Sequence, residues 1–317
     1  MSPRGDAGID LLGLGMSVLD SIHLVDAFPS GAGVSRILAS SMMGGGPVPT
    51  ALCTASRLGA RTAIADRIGD DWRGDRVHAE YERFGVATSF LRREPGKSTT
   101  LGAVLVRAGD GERHLLFDEG DFTPLPSSEL PRDILATVPI LHLNGRHWPA
   151  CLDAARLVRE GAGRVSFDGG ARRFQRRHLE LLPLVDILIV AADYALHLAE
   201  SPSREDQFAA LARWDAEIVG ITDGAAGSWF RLRDGGRFHQ PAFPVDKVID
   251  TTGCGDVFHG AFLFSFRRGD SPRGAARFAS AAAAINATAL GGRGHLPTLA
   301  EVTELLHLPV ARSEDRV

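Results

Sequence analysis

Seven residues, Asp250-Thr251-Thr252-Gly253-Cys254-Gly255-Asp256, stand directly before a helical pattern that runs from Val257 to Leu263. Two glycines one residue apart leave successive backbone N–H groups open. They sit where the positive end of a helix dipole points, so the turn is an anion hole. Asp256 falls in the first turn of that helix. As a plain N-terminal charge it stabilises by about 0.3–1 kcal/mol. Beside a bound anion it would repel, which is a poor arrangement for stability alone. It makes sense if the carboxylate accepts a proton from a hydroxyl that attacks the anion. A simple helix start is the alternative on local physics.

Such a turn needs a frame. Short β-rich runs alternate with longer amphipathic ones along the chain. Strands are expected at 9–15, 62–65, 139–143, 164–167, 187–190, 217–221 and 228–232. Helices are expected at 47–58, 72–84, 149–160, 174–182, 206–214, 254–267, 272–290 and 298–306. The alternation predicts an α/β fold, doubly wound, with a mostly parallel sheet covered by helices on both faces. Residues 101–107 and 112–117 flank Ala108-Gly109-Asp110-Gly111 and read as a hairpin. With an extended stretch at 21–43, it suggests a small β lid. The expected organisation is one domain over 1–309, with lid segments at about 21–43 and 99–118 inserted and a polar tail at 310–317. The Ala-rich helix from Ala275 is expected to pack closely on the sheet.

Composition excludes several classes. The chain has 317 residues and a formal net charge of −4, so binding nucleic acid through bulk charge is not expected. Lys97 and Lys247 are the only lysines, so Arg supplies 33 of the 35 basic residues. Glycine is in excess, 36 residues against a usual level of about 7%. No apolar run is long enough for a membrane span, and the short glycine-broken run at 9–16 reads as a strand, not a signal peptide. Cys53, Cys151 and Cys254 form no metal or disulfide pattern, so a cytoplasmic location is expected. Three motifs are decoys. Gly13-x-Gly15 lacks the third glycine of a dinucleotide fingerprint, because Val18 stands there. Gly96-Lys97-Ser98 lacks the earlier P-loop glycine, because Leu91 stands there. The sequon at Asn286 lies inside an expected buried helix.

The segment 250–258 resembles the C-terminal signature of the ribokinase-like (PfkB) carbohydrate kinases, D-T-x-G-[AC]-G-D-x-F. The likeness spans nearly the whole chain. Residues 13–20 resemble the family's first strand, ending in a sugar-binding aspartate. Residues 43–51 resemble its glycine-rich turn. Residues 59–60 and 68–74 resemble its "LGA…G.D..G" stretch, and 222–227 its nucleotide-side "T-x-G-x-x-G". The resemblance implies an ATP-dependent kinase with Asp256 as general base. The amides of Gly253, Cys254 and Gly255 would neutralise charge on the transferred phosphoryl group. Asp20, Gly44, Gly45 and Gly46 would hold sugar hydroxyls. Thr222, Gly224 and Gly227, with Asn286, would lie along ATP, and Mg2+ would bridge the phosphates. A monovalent cation such as K+ is implied beside the hole at Asp250 and Thr252, with carbonyls near Asn286, Ala289 and Gly291. The hairpin would close over the sugar and exclude water. A lid-mediated homodimer is implied.

Departures from the family pattern mark open points. Thr50 stands where the family usually has Asn, which alters a sugar contact. Asp193 stands in for the N-x-x-E element that organises Mg2+. Cys254 occupies a position that is usually small, and a helix N-terminus would lower its pKa. Arg146 follows the strand at 141–144, at a strand end where ligands bind in open α/β sheets. It is a surface charge or a contact to an anionic or oxygen-rich end of a sugar. The likeness is greatest to the ketohexose and sulfofructose kinase branch. Sulfofructose kinases carry a lysine at about 33–36, where Arg36 is the available cation. The expected substrate is therefore a ketose or related sugar, with an acidic sugar included. A nucleoside or small-alcohol kinase of the same fold, and a non-catalytic sugar-binding relative, stay open.

Overall fold

The computed structural model describes residues 8–307; the tail expected at 310–317 lies outside them. The strands are β1 (Leu11–Leu14), β2 (Val18–Val25), β3 (Ile37–Gly45), β4 (Thr62–Gly69), β5 (Ala87–Glu94), β6 (Leu101–Arg107), β7 (Arg113–Asp118), β8 (Ile140–Leu143), β9 (Arg164–Gly169), β10 (Ile187–Ala191), β11 (Ile218–Thr222), β12 (Ser228–Leu232) and β13 (Arg237–Gln240). The helices are α1 (Pro47–Leu58), α2 (Trp72–Phe84), α3 (Arg132–Leu135), α4 (Ala150–Glu160), α5 (His178–Leu181), α6 (Ala192–Ala199), α7 (Arg204–Leu211), α8 (Cys254–Arg267), α9 (Pro272–Asn286) and α10 (Leu299–His307).

Nine strands form the main sheet in the order β13-β12-β11-β10-β9-β8-β1-β4-β5. From β11 to β5 every pairing is parallel; β12 and β13 add an antiparallel edge. Side chains alternate between the two faces of a strand. Leu11, Ile64, Ile140 and Ile189 pack under α1, α8 and α9. Their neighbours Leu12, Leu141, Leu188 and Val190 pack on the opposite face with α4. Burial on both faces explains why these strands read as continuous apolar runs.

The remaining strands form a separate four-stranded sheet, β3-β2-β6-β7. The 21–43 stretch is two antiparallel strands, and 101–117 is the hairpin. Arg107 clamps the hairpin turn through Asp110 and Glu112.

Three expectations need correction. Only a short α5 forms within 174–182; the chain before it is irregular, and Phe174 packs edge-on against the Tyr194 ring at 5.3 Å. Strands β5 and β13 lie at sheet edges, where half-exposed polar positions blur the apolar pattern. Helix α9, expected to pack on the sheet, packs chiefly against α8 and meets the sheet at edge strand β13.

Helix α8 is drawn equally close to α1. A Cβ on Gly260 would lie 2.2 Å from the Ala51 carbonyl oxygen, so the two backbones touch. The Gly260→Ala variant is expected to lose about 1–3 kcal/mol through overpacking. A lowered denaturation midpoint with unchanged m-value would register this; an unchanged midpoint would contradict it.

Candidate active site

The turn at 250–256 is shaped by backbone that only glycine allows. Gly253 has φ 71°, and a Cβ there would sit 2.5 Å from the Gly292 carbonyl oxygen. Asp250 is fully buried and holds the turn from below. The Thr252 N–H and hydroxyl donate to its Oδ1 at 2.8 and 2.6 Å, and the Gly291 N–H donates to its Oδ2 at 2.9 Å. The Asn286 amide donates to the Thr252 carbonyl at 3.2 Å. The turn therefore hangs between two loops and enters α8 with the Gly255 N–H free, while the Cys254 N–H donates to the Thr251 carbonyl at 3.3 Å. Around Gly255 there is open space.

Asp256 follows in the first turn of α8, half-buried. Burial first, and then the negative charge of Asp168, push its carboxyl above the ordinary range. Asp168 comes from the end of β9 and lies 3.3 Å from His259 Nε2, one turn further along α8. Burial alone would raise Asp168, but the His259 ring beside it holds it low. His259 in turn lies against His142, with ring centroids 5.3 Å apart. His142, Asp168 and His259 were not picked out from the sequence. The spacing Asp256-x-x-His259, which shares a helix face, was the available signal.

Asp20 on β2 is wedged into the lid sheet. A Cβ on Gly45 would fall 1.9 Å from its Oδ2, and one on Gly102 would fall 2.3 Å from its Oδ1. Burial raises its carboxyl to about 7, against the opposing pull of Arg293. Arg293 is buried and organises the glycine-rich turn. It donates to the Thr50 hydroxyl at 3.1 Å and the Gly45 carbonyl at 3.1 Å, and pairs with Glu80 at 3.3 Å. The Thr50 hydroxyl is thus already engaged. A Cβ on Gly44 would strike the Arg293 guanidinium at 2.2 Å, and one on Gly46 the Met16 carbonyl at 2.2 Å.

Cys254 corrects one expectation. Burial pushes its thiol up to about 11, the opposite of the activation expected from a helix end. On the far side, Thr222 ends β11, and Gly224 (φ 51°) has nothing near its Cβ position. Gly227 is pressed against the Gln240 carbonyl, 2.3 Å from its Cβ position. Asp193 opens α6, and its Oδ2 accepts from the Arg172 N–H. Among the described residues no group of three or more His, Cys, Asp or Glu could hold a metal, and no helix is long and apolar enough to cross a membrane.

The family model described as pfkB family carbohydrate kinase matches residues 13–299, so the chain belongs to that family. It is a carbohydrate kinase with a ribokinase-like fold. A putative ribokinase from Agrobacterium tumefaciens superposes with a TM-score of 0.86 at 25% identity, over 94% of this chain and 97% of that one. The ketohexokinase of Mus musculus is 24% identical over 84% of this chain and 92% of its own. A putative ribokinase II from E. coli, solved in complex with ATP and Mg2+, superposes with a TM-score of 0.80 at 20% identity, over 94% and 99% of the two chains.

Asp20 supports a pH test. Burial lifts its carboxyl from the ordinary aspartate range to about 7, so charging it opposes folding as pH rises towards that value. The Asp20→Asn variant should match the wild type in stability below pH ~4 and exceed it increasingly up to pH ~7. Denaturation midpoints across that range measure it; a constant difference would contradict it.

Proposed function

We propose that the protein transfers the γ-phosphoryl group of ATP to a hydroxyl of a ketose or related sugar, one bearing an acidic group included. One observation carries this reading. A half-buried carboxylate with a raised pKa, Asp256, stands beside the free Gly255 amide at the N-terminus of α8. That pair suits a base and an anion hole acting on one reaction. The likeness to a ketohexokinase supports the ketose.

In this reading Asp256 takes the proton from the acceptor hydroxyl. The new O–P bond forms as the bond to the β-phosphate bridging oxygen breaks, and ADP leaves. The Gly253, Cys254 and Gly255 amides meet the charge that develops. Asp20 and the Gly44–Gly46 turn orient the sugar, while Arg293 supports that turn from behind through Thr50. Open space at Gly224 and Gly255 leaves room for the nucleotide. Mg2+ would supply charge neutralisation on the phosphates. It ordinarily rests on phosphates plus one or two carboxylates, so the sparse acidic set here suits it, with Asp193 the proposed contributor. K+ is proposed beside the hole, at Thr252 and Asp250. The small sheet is proposed as the lid of a single domain, and the cytoplasm as the working compartment, where free cysteines stay reduced.

Asp256→Asn should lower kcat by about 10²–10⁴-fold in a coupled ADP assay while the thermal midpoint at neutral pH stays at or above that of the wild type. Near-normal turnover would remove Asp256 from the base role. Turnover of nucleosides and of no ketose would replace the substrate class.

The lid also supports a homodimer. Every residue of edge strand β7 is exposed, Leu115, Leu116 and Phe117 among them, and so are Ile37 and Leu38 on β3. Exposed apolar clusters of this kind mark interaction sites. Light scattering should give a dimer, and Leu115→Asp with Leu116→Asp should yield monomers. A monomeric wild type at micromolar concentration would refute the dimer.

A further inference from the structure

The turn after β11 is held from outside. Residues 223–226 are exposed, so burial does not fix them. The turn closes at its neck, where the Asp223 N–H donates to the Gly227 carbonyl at 2.9 Å. Beyond that neck, two side chains from other elements take hold of it. Arg204, the first residue of α7, donates from Nη2 to Asp223 Oδ2 at 2.9 Å. His239 on β13 donates from Nε2 to the Ala226 carbonyl at 2.8 Å. One side chain therefore grips the start of the turn and the other its end. Gly224 lies between them, and nothing stands within 4 Å of its Cβ position, so the turn is open to a ligand there.

Both grips rest on Trp229 of β12. His239 is its cross-strand neighbour, and the two rings stack with centroids 4.4 Å apart and 25° between their planes. The Arg204 guanidinium lies over the indole, 4.5 Å from the ring centre. Trp229 is outside the turn, opposite Ile221 in the sheet register. It is half-buried: it packs on the core and also borders a surface cavity with Arg204, Phe208 and Phe238.

An exposed ion pair contributes little when two free side chains must be ordered to make it. A guanidinium laid on an indole face is attracted by the ring and is ordered beforehand. An imidazole stacked on the same residue is ordered in the same way. For the fold these ties add little, because they fasten an exposed turn whose neck the backbone already closes. For a ligand they matter, because a turn ordered in advance loses less entropy on binding.

We propose that Trp229 is a positioning residue for the nucleotide: through Arg204 and His239 it pre-orders the turn at 223–226, and so sets how tightly the nucleotide binds. This rests on the kinase reading above, in which Gly224 leaves room for ATP, and adds a residue which that reading does not use.

The full-length protein would be titrated calorimetrically with the non-hydrolysable ATP analogue AMP-PNP and Mg2+, which requires no choice of sugar. Trp229→Ala should weaken binding about tenfold, the combined effect of two modest ties. Trp229→Phe should recover most of the loss, because a ring remains beneath both side chains. Arg204→Ala and His239→Ala should each weaken binding about threefold in the wild type, and hardly at all once Trp229 is alanine. Wild-type affinity in Trp229→Ala, equal losses in Trp229→Phe and Trp229→Ala, or losses that simply multiply would each overturn the positioning role. If Trp229→Ala does not fold, the double variant Arg204→Ala with His239→Ala decides: binding about tenfold weaker supports the proposal, and wild-type binding overturns it. No heat with the wild type would overturn the nucleotide reading of the turn, and the proposal with it.

Discussion

The buried carboxylate of Asp250 is the interaction on which the site depends. It binds Thr252 on one side and the Gly291 amide on the other, so two chain segments share one acceptor. Its position fixes where Gly253 turns, and the Gly253 turn fixes where α8 begins. The first α8 amides and Asp256 then take their directions from the helix. Hydrogen bonds to a buried charge are among the stronger ones, and losing a partner there leaves the charge uncompensated. Asn286 adds a second tie at Thr252, from the last turn of α9. The close approach of α8 to α1 at Gly260 fixes the spacing of the two helices.

Glycine and arginine divide the remaining work. Gly45 and Gly102 open the gap that Asp20 occupies, and Gly44 opens the one that Arg293 occupies. An Asp20 carboxyl so enclosed resists ionisation, which is why burial dominates its pKa. Arg293 offsets part of this cost while holding the Gly45 carbonyl and Thr50. A lysine could reach one of these partners but has no fork to hold several at once. The scarcity of lysine is consistent with a site built from backbone amides and guanidinium groups.

Much of this was legible in the sequence. The parallel strands are buried on both faces, so their apolar runs stand out, and the glycine turn before α8 marks itself. The turn beside Asp20 could also be located, because glycines cluster there. What escaped notice was set by tertiary contact. Arg293 and Thr50 are 243 residues apart, and no local pattern links them. Arg173 lies in an irregular loop just before the helix expected at 174–182, so neither periodicity nor a cap singled it out. Edge strands β5 and β13 were missed because exposure on one side removes the apolar signal. Cys254 was misjudged because the helix dipole was weighed without the burial that opposes it.

The charge arrangement around Asp256 follows from these contacts. Asp256 feels the charge of Asp168, Asp20 feels that of Asp256, and Arg173 acts on all three. They do not share protons equally. Asp168 keeps its charge because His259 lies against it, whereas Asp20 is raised by enclosure. Asp256 lies between these cases, raised by burial and by the charge that Asp168 retains. A carboxylate so placed binds a proton more readily than an ordinary one, yet can still be ionised near neutrality. Those are the two properties a base needs when it must be free before the reaction and hold a proton during it. The His259–Asp168 pair keeps one negative charge fixed, and that charge adds to burial in strengthening the hold of Asp256 on its proton.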